Sequence, residues 1–321
     1  MALTPRLVLL MTLPPLMWAG NAIVGRLVVD LAPPLAFNLL RWLLALVILL
    51  PLAWRALRPW ARVRQRLGYL LVLGTLSVGL YNALQYAALV SSPPLNVTLM
   101  ASSTPVWMLA IGALFFGQTP RPRQLLGAAL GLCGVLVVLG RGSLDVLLQV
   151  RFVSGDLLVL AAAMGWALYS WMLVRPPAHM QGAARPRADE GWDWAGLLLL
   201  QVVFGLLPAA LFAAGEQVLG SVPAKAVQWG WPLLAALLYV SVGASIVAYR
   251  AWGQAVAEGG PAMAAFFANL TPLFAALLSA IVLGEMPQPF HALAFALIVA
   301  GIVVSGTRVQ AKGQPTPKPP A

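Results

Sequence analysis

The chain has 321 residues, 61% of them hydrophobic and 9% charged, with a mean hydropathy of +0.87 and a formal net charge of +11. Soluble chains carry about 25% charged residues, so this one cannot cover a globule with polar surface, and lipid must be its solvent. The positive charge lies in short loops between apolar runs, where it reports topology and gives no ground for a nucleic-acid partner. A lone cysteine, Cys133, sits inside an apolar run and excludes both a disulfide framework and a thiolate metal site. His179 and His291 fall near segment ends and read as loop or interfacial side chains. No cofactor and no metal are expected.

A membrane-spanning helix needs about 20 mainly apolar residues. Such runs cover 7–29, 34–54, 68–89, 95–116 and 124–140, then 156–174, 194–215, 231–253, 262–283 and 290–307. The first is followed by further spans and reads as a retained helix. None shows the apolar/polar alternation of a barrel strand, and interior glycine or proline is tolerated because neighbouring helices re-satisfy the backbone. The expected fold class is an all-α polytopic membrane protein with ten transmembrane helices. With the N-terminus in the cytoplasm, fourteen of the twenty Lys and Arg fall on the inner side. Arg141, Arg151 and Lys225 fall outside, and Arg26, Arg41 and Arg250 within spans. That asymmetry predicts a multi-pass protein of the cytoplasmic (inner) membrane with both termini cytoplasmic.

The chain also repeats itself. One offset of 167 residues relates Pro105 to Pro272, Gly117 to Gly284, Gln118 to Glu285, Pro120 to Pro287, Pro122 to Pro289 and Gly134 to Gly301. Earlier in each half, Trp18 and Asn21 correspond to Trp166 and Tyr169, and Ser77, Tyr81 and Pro93 to Ser245, Tyr249 and Pro261. The polar stretch 175–193 accounts for the change of offset and is too short for a soluble domain. The units predicted are residues 1–145, residues 146–310 and a Pro-rich disordered cytoplasmic tail, 311–321. Five helices per unit is an odd number, so the second copy enters the membrane from the opposite side. Two inverted repeats can open a midplane site alternately to each face, the architecture of many secondary transporters.

The residues carry a family resemblance as well. The stretch "WAGNAIVGRLVVDLAPPLAFNLLRWLLA", the "TP" pairs of the fourth and ninth spans, and "GQTP" and "GEMP" after them are similar in order and spacing to EamA-type carriers of the drug/metabolite transporter superfamily. The resemblance covers residues 7 to 307 and implies a ten-helix carrier of small organic solutes such as amino acids, nucleosides or drugs. That family usually has Glu in both Gly-Glu turns, whereas Gln118 stands in the first one here, so no matched carboxylate pair is carried over. Where the family often has Lys, Arg26 keeps the charge.

Pro105 and Pro272 interrupt the fourth and ninth spans, each removing an amide donor and displacing the carbonyl four residues back, Ala101 and Ala268. Interrupted helices in matching positions point to a binding site, and Ser102 and Asn269 stand just before the prolines. A kink that only shapes packing is the alternative for Ser102. In the third span Ser77, Tyr81 and Gln85 follow a four-residue spacing that puts them on one face, with Asn82 beside them. The eighth span repeats Ser245 and Tyr249. With Trp18, Asn21, Trp166 and Tyr169 from the first and sixth spans, and Trp107 as a weaker member, these residues are expected to line a central cavity. Trp54, Trp60, Trp192, Trp194, Trp229 and Trp231, at span ends, are assigned to the interfacial belt. The glycines at 127, 131 and 134 admit close helix packing or a dimer face, and both monomer and homodimer stay open. Arg41 needs a partner, and a lock between the first two helices stands level with a carboxylate-binding role.

All nine acids fall in loops or at span ends. No titratable group stands at midplane, where a proton-coupled carrier keeps one. The function expected is therefore a secondary transporter, an exporter by resemblance, that moves amino acids or related metabolites by alternating access down their gradient. Proton-coupled drug or metabolite antiport through Glu258 or Glu285 is the alternative. A lipid-acting membrane enzyme is more distant, because no nucleophile–base pair or acidic metal cluster is visible.

Overall fold

The computed structural model describes residues 3–58, 60–219, 226–284 and 288–306. Ten helices among them are long and apolar enough to span a bilayer: α1 (Pro5–Val28), α2 (Pro34–Leu57), α3 (Leu67–Ala88), α4 (Leu95–Phe116) and α5 (Pro122–Leu139), then α6 (Ser154–Val174), α7 (Trp194–Val218), α8 (Trp231–Gly259), α9 (Pro261–Val282) and α10 (Pro289–Gly306). Proline opens α1, α2, α5, α9 and α10, where its missing N–H costs nothing. At the other end, α4 and α9 stop on Gly117 (φ 64°) and Gly284 (φ 72°), both left-handed. The matched glycines are thus C-terminal caps, and the prolines after them start the next span. Gln118 is exposed in that turn, and Glu285 and the tail lie outside the described residues.

The halves do not fold as two separate bundles. α1 packs on α8 and α9, and α6 correspondingly packs on α3 and α4. α2 packs on α8 and α7 on α3, while the equivalent helices α2 and α7, and α5 and α10, pair with each other. Exchanging each helix for its counterpart five places on leaves this contact map unchanged, which is the signature of an inverted repeat with a pseudo-two-fold axis. One large apolar cluster runs through both halves. Outward-facing Leu52, Leu114, Phe115, Leu211 and Ile281 stay exposed, as a lipid solvent allows.

The α5–α10 contact assigns the glycines at 127, 131 and 134. A Cβ on Gly301 would stand 2.7 Å from the Gly127 carbonyl oxygen, and one on Gly127 would stand 2.7 Å from that of Gly301. These glycines therefore serve packing within the chain. Gly301→Ala is expected to force the two backbones apart at a cost of about 1–3 kcal/mol. A thermal unfolding midpoint in detergent equal to that of the unsubstituted protein would contradict so close an approach.

Two features escape the linear pattern. Residues 75–80 of α3 and 240–247 of α8 form wide π turns at matching places in the two repeats. Moreover, Trp192 is 4% exposed and packs in the core with the Arg66 guanidinium 5.8 Å from its ring centre. It does not belong to the interfacial belt, because the 175–193 segment folds its end back onto the bundle. The Cβ a side chain would add at Gly191 would lie 2.7 Å from Cβ of Arg55. The tryptophans at 54, 60, 194, 229 and 231 are exposed, as the belt reading requires.

Candidate functional site

α4 and α9 are each two helices. α4 breaks after Ala101 and restarts at Thr104, and α9 breaks after Ala268 and restarts at Thr271. The prolines thereby become first-turn residues of the second segment, where their geometry is favourable. The carbonyls they displace are not left unpaired. Thr104 Oγ1 donates to the Ala101 carbonyl at 2.6 Å, and Thr271 Oγ1 to the Ala268 carbonyl at 2.7 Å. Each "TP" pair is thus a break together with its repair, and it leaves irregular backbone where a membrane protein tolerates it, against a cavity.

That cavity measures about 280 Å³ and lies between the two sets of exchanged helices, close to the lower end of the range for small-molecule sites. Trp18 and Asn21 of α1, Tyr81, Asn82 and Gln85 of α3, and Ser102 of α4 line it. Trp166 of α6, Tyr249 of α8 and Asn269 of α9 complete the expected members. On α1, α3 and α4 the lining positions fall in the half away from the face where the chain starts. Towards that face Leu7 and Met11 are buried, and Arg6 pairs with Glu258 at 2.8 Å.

Between the cavity and that closed end stands a floor of aromatic rings. The Trp166 ring lies 5.4 Å from Trp18, 4.9 Å from Tyr81, 5.0 Å from Tyr169, 5.4 Å from Tyr249 and 5.4 Å from Trp252. The polar handles of this cluster are tied to backbone and to a serine, so the rings are held in place. Trp18 Nε1 donates to the Ala244 carbonyl, Tyr249 Oη to the Ser77 carbonyl, and Trp252 Nε1 to Ser170 Oγ. Such spacings suit edge-to-face and tilted contacts.

One cation lines the cavity among the described residues, Arg41, and it is 2% exposed. Its Nε donates to Ser245 Oγ at 2.6 Å and its Nη2 to the Ala244 carbonyl at 3.4 Å. Both partners lie in the π turn of α8, so Arg41 does not lock α1 to α2. Its Nη1 has no partner among the described residues, and neither does Asn21 Oδ1 or Asn269 Nδ2. Room for the Asn269 amide comes from Gly131, where a Cβ would come within 2.9 Å of Nδ2. No carboxylate lines the cavity among the described residues.

A profile of the EamA-like transporter family matches residues 6–140 and again residues 153–307. The chain belongs to that family. It is a transporter and not an enzyme. Among relatives of this EamA-like chain, an uncharacterized transporter of Archaeoglobus fulgidus is 28% identical over 92% of this chain and 96% of its own. A probable amino-acid metabolite efflux pump of Salmonella typhimurium is 28% identical over 91% and 93%. An aromatic amino acid exporter of Ancylobacter novellus is 25% identical over 70% and 71%. A solved crystal structure superposes with a TM-score of 0.71 over 94% of this chain and 96% of its own at 22% identity, a likeness of fold alone.

Four residues expected in the EamA cavity stand elsewhere. Tyr169 is buried behind Trp166. Trp107 turns to Ser103 Oγ within its own helix, at 3.0 Å, and packs on the core. Ser245 forms the layer beneath Arg41, and Ser77, expected on the face of Tyr81, donates to Leu73 and Gln201 instead. The π turns explain the two serines: one extra residue per turn rotates the rest of the helix by about 100°. Arg41, Thr98, Thr104 and Thr271 join the lining. Thr104 and Thr271 are related by the same offset as the prolines they precede, a signal that was present in the repeat. Trp252 carried no such mark, because its counterpart in the first repeat is aliphatic.

Proposed function

We propose that this chain exports amino acids or closely related metabolites across the cytoplasmic membrane by alternating access, with both termini in the cytoplasm. The observation that carries the reading is the cavity itself. It lies at the joint between exchanged helices, has a floor of tryptophan and tyrosine, and is walled by the amides of Asn21, Asn82, Gln85 and Asn269. Aromatic rings enclose an apolar side chain, and amides fix the orientation of polar groups around it. The relatives named a probable amino-acid metabolite efflux pump and an aromatic amino acid exporter support the same cargo.

The moving bodies in this reading are not the two sequence halves. α1 travels with α8 and α9, and α6 with α3 and α4, because those are the helices that pack together, while α2 and α7 pair at the seam between the two bodies. With no carboxylate on the cavity wall among the described residues, cargo moves down its own gradient. Counterflow in proteoliposomes without a pH gradient tests this. Saturable exchange of labelled amino acids, lost in Asn269→Ala, is the expected result. Exchange that requires an imposed pH gradient would replace the facilitator with a proton-coupled antiporter and turn attention to Glu258 and Glu285.

A further inference from the structure

We propose that Arg41 binds the carboxylate of the transported solute, so that this carrier takes carboxylate-bearing cargo and rejects the corresponding amides and amines. The proposal rests on the carrier reading above and names the chemical class that its cavity selects. A buried charge in a membrane protein persists only where something compensates it. Arg41 is almost wholly buried, lines the cavity, and has no carboxylate bonded to it among the described residues. Its two hydrogen-bond partners, Ser245 Oγ and the Ala244 carbonyl, are neutral and hold the Nε and Nη2 edge of the guanidinium. Nη1 is left without an acceptor among the described residues. The guanidinium is therefore positioned by α8 and incomplete in charge, which is the state of a site awaiting an anion.

A carboxylate fits better than a phosphate. A phosphate dianion calls for several cationic or clustered donors, whereas Arg41 is the one cation on the cavity wall among the described residues. A carboxylate brings the single negative charge that a lone guanidinium neutralises. Asn21 Oδ1, an acceptor with no donor among the described residues, also lines the cavity. It offers the complementary group for an ammonium, and the pair together matches an α-amino acid.

Arg41 also places this anion beside a joint of the fold. The Ala244 carbonyl that accepts from Nη2 accepts from Trp18 Nε1 as well, and Ser241 Oγ donates to the Arg41 carbonyl at 2.9 Å. A carboxylate on Nη1 is thus one hydrogen-bond link from the π turn of α8. π turns interrupt helices most often at functional sites.

The test is counterflow by the unsubstituted protein with the twenty amino acids, their carboxamides and their decarboxylated amines as competitors. We expect at least one amino acid to exchange, with its amide and its amine at least 30-fold weaker as competitors. Arg41→Lys, which keeps the charge but loses the planar fork, should raise the half-saturating concentration for the acid about tenfold. Arg41→Gln should raise it about 100-fold and abolish the preference for acid over amide. An amide or amine that competes as well as its acid overturns the proposal even if the variants fail to fold, since that comparison needs no substitution. Exchange by Arg41→Gln with full acid preference overturns it too. Failure of every compound to exchange fells the proposed amino-acid cargo, an outcome distinct from loss of selectivity.

Discussion

Trp166→Ala is expected to abolish solute exchange and to lower stability by about 3–5 kcal/mol, the usual cost of truncating a buried tryptophan. The ring is 3% exposed and stands at the centre of the floor, with Trp18, Tyr81, Tyr169, Tyr249 and Trp252 around it. In lipid the stabilisation of such a cluster comes from close packing more than from exclusion of water. Deletion of one ring forfeits the dispersion contacts of its neighbours and opens a void between α1, α3, α6 and α8. The void also joins the cavity to the closed end below it, so cargo loses its floor. Trp166→Phe keeps a ring in place and should retain most of the stability while weakening binding. Unfolding midpoints in detergent and counterflow rates measure both effects. An alanine variant with an unchanged midpoint and unchanged exchange would show that the cluster neither supports the bundle nor bounds the site.

The second large effect is predicted for Asp156→Ala, at about 2–4 kcal/mol of stability, the scale of several buried donors losing one charged acceptor. Asp156 is 1% exposed at the start of α6. It accepts from Ser92 Oγ, from Asn96 Nδ2 at 3.0 Å and from the Val153 amide at 2.9 Å. Ser92 and Asn96 belong to the junction between α3 and α4, so this carboxylate staples that corner to the first turn of α6. Backbones come close there, for a Cβ on Gly155 would lie 2.5 Å from the Ala88 carbonyl oxygen. The positive end of α6 favours an anion at this place. Removal leaves buried donors unpaired, which costs more than the bonds contributed. At the matching corner of the other repeat stands the partly exposed pair Arg6–Glu258. Solvent-exposed pairs are worth about 0–1 kcal/mol, so Glu258→Gln should scarcely move the midpoint. Equal shifts for the two substitutions would contradict this difference between the corners.

Much of the protein was legible in its residues. Apolar runs of spanning length, their odd number per repeat and the matched Gly and Pro positions determined ten helices and their inversion, because lipid forbids unsatisfied backbone and leaves few alternatives. Repeat-matched aromatics and amides deep in the spans, among them Trp18, Trp166, Tyr81, Tyr249 and Asn269, marked most of the cavity wall for the same reason: such groups are not placed against lipid without need. Linear spacing could not supply helix rotation and partner choice. The four-residue rule holds only along a regular helix, so the π turns of α3 and α8 carried Ser77 and Ser245 off the cavity. Tyr169, three residues past Trp166, and Trp107, two past Pro105, were expected at the cavity as well, yet local packing placed them in the core. Trp192 sits at a span end but is covered by its own loop. Arg41 read as an unmatched charge until α8 was beside it, some 200 residues away along the chain. Which helices move together was also beyond the sequence, because contacts between α1 and α8, or α6 and α3, are decided by surface fit across the halves and leave no periodic trace in either one.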